Sequence, residues 1–331
     1  MRRSILIATI VSAIFAPSAS ADGLPVLGVD DGSTGVTVPQ AASRYVTIPA
    51  PGGGTLVERI NRNGGEVLAS SLFPGVFTIP AVAYDGAAGG LSGDRHTLVL
   101  IEPRTSFPRN MTRLLVLDTP SLGHRATITL RGDFSFDAVS PNGLRIYLIN
   151  YTSPNDPTRY AVRSFDLAAM RLDPKPIVDP RNPHEKMRGN PISRVASPDG
   201  RWAYTLYDGA AGTPFVHALD TRAAAARCID LDGLDSSRVW RLRLRLSQRA
   251  QSVSVIDGPN TLLTVDTRTF AVAAPRAPGG SWLWVAAASA AVALAPAAVG
   301  VGLTRRRSGR RAAPGAALRG ARSVPAETTR A

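Results

Sequence analysis

The stretch Ser197-Pro198-Asp199-Gly200-Arg201-Trp202-Ala203-Tyr204-Thr205-Leu206 decides the fold. A four-residue polar turn runs directly into a strand of aromatic and β-branched residues. The Asp-Gly pair supplies the positive φ that a tight turn needs. The same arrangement stands upstream twice: Ser140-Pro141-Asn142-Gly143 before the run from Arg145 to Ile149, and Leu91-Ser92-Gly93-Asp94 before the run from His96 to Leu100. A degenerate copy, Leu246-Ser247-Gln248-Arg249, precedes the run from Ser252 to Ile256.

A second anchor follows each copy, a strand that ends in Asp: Asp118, Asp166, Asp220 and Asp266, at spacings of 48, 54 and 46 residues. An Asp in that place accepts from backbone amides two residues on, so it closes the third strand and turns the chain into the fourth. A period near 50 with four short strands per unit is the pattern of a β-propeller blade. A fifth, diverged unit begins the array. It has Tyr45 to Ile48, a Pro-Gly-Gly-Gly turn, Thr55 to Ile60 and Glu66 to Ala69, with Gly35 to Val38 as its inner strand. The only helical candidate between Arg44 and Ala274, Ala223 to Ala226, is too short for a helix. The expectation is therefore an all-β propeller of about five blades, six or seven remaining open, over residues 22–273.

Ser197 to Tyr204 together with Leu219-Asp220-Thr221 resembles the blades of YVTN-like and WD40-like bacterial propellers. The resemblance covers the middle and second half well and the first unit poorly. The Gly-His and Trp-Asp pairs of eukaryotic WD40 blades are not arranged in their usual order, since Gly123-His124 follows the third-strand anchor. The resemblance implies the fold rather than an activity. Some YVTN-like propellers are similar to lactonases, which have seven blades, more than this length provides. The chain as a whole resembles membrane-anchored actinobacterial surface proteins.

Two segments give an address. Met1-Arg2-Arg3, an apolar run from Ile5 to Phe15 and small residues ending in Ala19-Ser20-Ala21 form a signal peptide, 1–21. Ser281 to Leu303 holds 23 residues without a charge. As a helix it would measure about 34 Å, enough to cross a bilayer. Trp282 and Trp284 stand at one end and Arg305, Arg306, Arg307, Arg310 and Arg311 follow the other. Positive flanks stay cytoplasmic, so the expected protein is a single-pass type I membrane protein with an extracellular body. A linker fills 274–280, and 304–331 is a basic cytoplasmic tail expected to be disordered. The lipid bilayer is then one partner, through residues 281–303. A Leu-Pro-x-Thr-Gly sorting motif is absent before Ser281.

The formal charge of +13, from 38 basic and 25 acidic side chains, is misleading as a whole. Arg2 and Arg3 carry 2 of it and the tail from Thr304 carries 7, which leaves +4 for the rest. A basic surface for nucleic acid is thereby excluded as an expectation. A single Cys, Cys228, rules out an internal disulfide.

No nucleophile elbow, zinc helix motif, Walker loop or dinucleotide fingerprint is present. His96, His124, His184 and His217 are scattered without metal-ligand spacing. No catalytic residue, metal or cofactor is therefore assigned. Cys228 reads as a small hydrophobe of an outer strand, and Trp202 and Trp240 read as core between units. The long insertion from Asp173 to Asn190 carries Asp179, Arg181, His184, Glu185, Lys186, Met187 and Arg188, and loops are where such scaffolds carry binding residues. It leads into Pro191 to Val195, an expected inner strand. Arg188, Arg194, His184, Asp137 and Asp85 are the ligand-binding candidates, with Arg188 and Arg194 facing the channel. The function expected is a non-catalytic scaffold for an extracellular protein, peptide or glycan. The alternative is a lactonase-like or other hydrolase with its site in the channel.

Overall fold

The structure, a computed structural model, describes residues 35–274 apart from 39, 64, 185 and 211. The segments expected to be a signal peptide, 1–21, a membrane span, 281–303, and a basic tail, 304–331, lie outside the described residues. Among those described, no helix is long and apolar enough to cross a membrane.

The described chain is all-β, in five antiparallel sheets whose strands follow one another as simple meanders. Sheet 1 holds β1 (Val36–Thr37), β2 (Ser43–Ala50), β3 (Gly54–Asn61) and β4 (Val67–Pro74). Sheet 2 holds β5 (Thr97–Ile101), β6 (Met111–Asp118) and β7 (Gly123–Arg131). Sheet 3 holds β8 (Phe134–Val139), β9 (Arg145–Tyr151), β10 (Tyr160–Asp166) and β11 (Arg171–Leu172). Sheet 4 holds β12 (Pro191–Ala196), β13 (Trp202–Tyr207), β14 (Phe215–Asp220) and β15 (Ala225–Asp230). Sheet 5 holds β16 (Arg243–Leu246), β17 (Ser252–Asp257), β18 (Asn260–Asp266) and β19 (Val272–Ala273). A 3₁₀ turn over Ser236–Arg241, capped by Asp235, links sheets 4 and 5. This succession of meanders is consistent with a propeller.

Both sequence anchors are hydrogen-bonding devices. In the first turn of sheets 2, 3 and 4 a Ser hydroxyl meets the side chain two residues on, Ser92 with Asp94, Ser140 with Asn142 and Ser197 with Asp199, at 2.5–2.8 Å. The same hydroxyl accepts from the amide that starts the second strand, at Thr97, Arg145 and Trp202. Ser247 does this for Ser252 in sheet 5. At the other anchor the carboxylate accepts from following amides: Ser121 on Asp118, Ala168 and Ala169 on Asp166, Arg222 and Ala223 on Asp220, Arg268 and Thr269 on Asp266. A backbone feature recurs with it. The residue four past each of these Asp, namely Leu122, Met170, Ala224 and Phe270, has φ between 48° and 61°, although none is glycine.

A third device was not read from the sequence. The Thr after three of the four Asp anchors hydrogen-bonds back to the first turn of its own sheet: Thr119 to the Arg95 carbonyl, Thr221 to those of Gly200 and Arg201, and Thr267 to that of Ala250. Sheet 3 has Leu167 there and keeps only the backbone bond to Leu144.

Apolar residues interleave between successive sheets. One cluster joins sheets 1 and 2 around Val57, Phe73, Leu98 and Leu117. A second joins sheets 2 and 3 around Val99, Val116, Phe136 and Ile146. A third lies between sheets 3 and 4 around Tyr147, Val162, Tyr207 and Leu219, and a fourth between sheets 4 and 5 around Tyr204, Val216, Val253 and Val265. Trp202 is packed against the last of these, but Trp240 is half exposed rather than core. It sits in the 3₁₀ turn with its ring 5.4 Å from that of Tyr84.

Sheet 2 lacks a continuous inner strand. Thr78 and Leu91 each pair with β5 as isolated bridges, and residues 79–89 leave the sheet as a small hairpin closed by Ala81 and Ala88. The Tyr84 and Asp85 amides donate to the carbonyls of Pro191 and Ile192, so this hairpin borrows the edge of β12 in sheet 4.

Candidate functional site

Three of the five candidates meet at the inner strands. Asp137 is the extra residue of a bulge in β8, since Phe136 pairs with Leu148 and Ala138 with Tyr147. A bulge re-aims its side chain, and here the carboxylate meets Arg194 of β12. Arg194 donates through Nη2 to Asp137 Oδ1 and through Nη1 to the Asp137 carbonyl at 3.1 Å. Asp85, on the hairpin, accepts from the Arg194 amide at 3.2 Å and from Ala87 at 3.0 Å. The Asp137 and Arg194 side chains are 2% and 8% exposed, and Asp137 Oδ2 and Arg194 Nε are buried without a hydrogen-bond partner among the described residues. It borders a small cavity of about 210 Å³ whose wall is otherwise mostly Gly, Ala and Val.

Across sheet 4 the register sets Arg194 opposite Thr205, and Thr205 opposite His217. His217 is buried against Tyr207, at 6.3 Å between rings. Burial pushes its pKa from 6.5 down to about 4, and the Arg194 cation acts in the same direction against the Asp137 and Asp179 carboxylates. His217 is therefore a neutral structural imidazole at neutral pH. Burial likewise drives the Tyr160 and Tyr207 hydroxyls up, so these phenols stay protonated.

Arg188 and His184 do not join this group. The sequence reading placed Arg188 with Arg194 toward a channel. Instead, Arg188 forms an isolated antiparallel bridge with Arg159, just ahead of β10, and both side chains are exposed. The chain is drawn outward because Gly189 donates to the Thr158 carbonyl and Ile177 to that of Val162. The result is an open groove of about 530 Å³ beside β10. Its floor is Val162, Ile177 and Met187, and Arg159, His184, Lys186 and Arg188 stand around it.

A second groove, of about 520 Å³, lies on the outer side of sheets 4 and 5 around Asp179, Arg181, Arg227 and Arg268. The Asp179 carboxyl is held at about 2, its burial outweighed by hydrogen bonds from Arg181 and from the Cys228 amide. Cys228 is half-buried at this edge. No cluster of three or more metal-ligating side chains occurs among the described residues.

Sequence reasoning missed the buried Arg104. Its Nε and Nη2 both reach Asp133, at 3.0 and 2.7 Å, its Nη2 reaches Ser135 at 2.9 Å, and its guanidinium lies 4.6 Å from the Tyr151 ring centre. Arg109 shares Asp133, and burial beside Arg104 lowers its pKa to about 10. Both arginines come from a Pro-rich loop between β5 and β6, where no periodic pattern marks a side chain as buried. Arg159 was missed because its partner across the bridge, Arg188, is distant in sequence.

No family model matches the chain, and no curated protein matches it. Solved structures similar to it include hydrazine synthase of Kuenenia stuttgartiensis, 14% identical over 72% of this chain and 80% of that one, with a TM-score of 0.37. TolB of Acinetobacter baumannii is 15% identical over 72% of this chain and 58% of that one, with a TM-score of 0.33. The β-propeller domain of Cps50 (Swd1) from Myceliophteria thermophila is 8% identical over 77% and 72%, with a TM-score of 0.42. Likeness at this level carries no site or activity to this chain.

Proposed function

We propose that this protein is a non-catalytic binding scaffold, a five-bladed β-propeller held at the outer face of a cell membrane by residues 281–303. The observation that carries the binding reading is the groove beside β10, where His184 and Arg188 open together onto about 530 Å³. That volume lies within the range of ligand sites, and the groove combines an apolar floor with a few polar groups, as such sites do. The inner-strand charges are engaged differently, since Arg194 and Asp137 pair with each other. The n-region, apolar core and small-residue end of the first 21 residues support export, and the Trp-to-Arg polarity around residues 281–303 supports an external body.

The test is capture of surface-labelled partners by the full chain in detergent micelles, repeated with Arg188→Ala, His184→Ala and the distant Arg268→Ala. The scaffold reading expects partners to be lost with the first two and kept with the third. Retention of every partner by Arg188→Ala and His184→Ala would overturn it.

A further inference from the structure

We infer that the groove beside β10 binds an extended acidic peptide segment, with Arg159 and Arg188 as the paired grip on its carboxylates. This rests on the scaffold reading and specifies its ligand. The key relationship is the antiparallel bridge between these two residues. Directly opposed strand residues hold their Cβ atoms about 4.5–5.5 Å apart, and like charges so placed repel. Both side chains are exposed, and neither makes a hydrogen bond or an ion pair with a described residue. Lys186 adds a third cation to the rim, and no carboxylate lines the groove among the described residues. Asp156 is the one described acid whose charge acts on both arginines; it offsets part of their repulsion from a distance but forms no ion pair with either, and its Oδ1 is held by the Thr158 amide and hydroxyl, at 3.0 and 2.6 Å. Such an arrangement is unfavourable in the free protein and is relieved when an anion bridges the two guanidiniums. Forked, charge-assisted hydrogen bonds are what this side chain gives to a carboxylate.

The remainder of the site selects the carrier of the anion. Half-buried Met187 offers flexible aliphatic carbon over the buried Val162 and Ile177, the Tyr160 ring is as buried as these two, and the exposed ring at the rim is the His184 imidazole. That floor suits apolar side chains alternating with carboxylates along an extended peptide. A sugar polymer would find no exposed phenyl or indole face among the described lining residues, only the His184 imidazole.

The measurement is fluorescence anisotropy of a labelled hexapeptide of alternating Leu and Asp, titrated with the full chain in neutral detergent micelles. Its amide twin, alternating Leu and Asn, is run in parallel, with a heparin fragment and phosphatidylglycerol vesicles as competitors. The acidic peptide should bind at least about tenfold more tightly than its twin. Arg159→Gln and Arg188→Gln should each weaken it about tenfold, while Arg268→Gln leaves it unchanged. Because each change removes a like-charge contact, neither Gln variant should lower the melting temperature. A merely structural role would make both variants melt earlier. Equal binding of the twin, or undiminished binding by both Gln variants, overturns the proposal. Stronger competition by heparin or by vesicles than by unlabelled acidic peptide also overturns it. If the acidic peptide fails while Arg188→Ala still loses surface partners, the ligand assignment falls and the scaffold reading stands.

Discussion

Arg194 on the first strand of sheet 4 closes on Asp137 at the bulge of sheet 3, with one guanidinium nitrogen on the carboxylate and the other on the same residue's carbonyl. The two lie 57 residues apart, and their side chains are almost fully withdrawn from solvent. A buried pair of this kind joins two sheets, and removing one member leaves the other charge buried and uncompensated. Arg194→Ala should therefore lower stability by about 3–5 kcal/mol, whereas Arg194→Met with Asp137→Leu should recover much of it. Urea unfolding of the two variants beside the unsubstituted protein checks this. A mild Arg194→Ala with a large loss of partner binding would restore the residue to a ligand role.

His217 gives a pH dependence with a definite sign. Its imidazole is neutral in the folded state down to about pH 4, while in the unfolded chain it takes a proton below about 6.5. The unfolded state thus binds more protons in that window, and stability falls as pH falls from about 6.5 to 4. The full effect is on the order of 3 kcal/mol. Melting temperatures of the protein and of His217→Gln, measured at pH 7, 6 and 5, should converge as the pH drops. A parallel decline in both would show that His217 is not the cause.

The Thr that follows three of the Asp anchors predicts a repeated, small effect. Thr221 Oγ1 reaches the carbonyls of Gly200 and Arg201 at 2.8 and 2.9 Å, in a buried position. Thr221→Val keeps the shape, removes the donor and should cost about 1–2 kcal/mol. Leu167→Thr in sheet 3 offers the converse change. Chemical denaturation of both variants decides whether the Thr latch stabilises the sheet or only accompanies the turn.

Left-handed backbone at non-glycine positions identifies a site for improvement. Met170 has φ 48° and is half exposed, so its side chain contributes little packing against that strain. Met170→Gly should raise stability by about 0.5–1 kcal/mol. Leu122 holds the same turn position at φ 50° but is fully buried, and Leu122→Gly should be strongly destabilising, by about 2–5 kcal/mol. Thermal melts with opposite signs for the two substitutions would confirm the assignment.

The sequence alone determined what is local. Ser197-Pro198-Asp199-Gly200 and Asp220-Thr221 encode their turns through hydrogen bonds spanning two to five residues, and such bonds form wherever the chain carries those side chains. Repetition of these turns therefore marked the second and third strands of sheets 2 to 5, while the diverged first sheet was legible from its apolar runs and its Pro-Gly-Gly-Gly turn. It could not mark the inner edge of sheet 2, because the hairpin at 79–89 is satisfied by β12, more than a hundred residues away. Tertiary structure alone decided which charges meet. Asp85, Asp137 and Arg194 share a site because a bulge and a borrowed edge bring three sheets together. Arg188 instead meets Arg159, because the carbonyls of Thr158 and Val162 hold the loop against the outer side of sheet 3. Pairing between distant strands depends on which backbone groups remain unsatisfied after the local turns form, and no residue pattern along the chain records that.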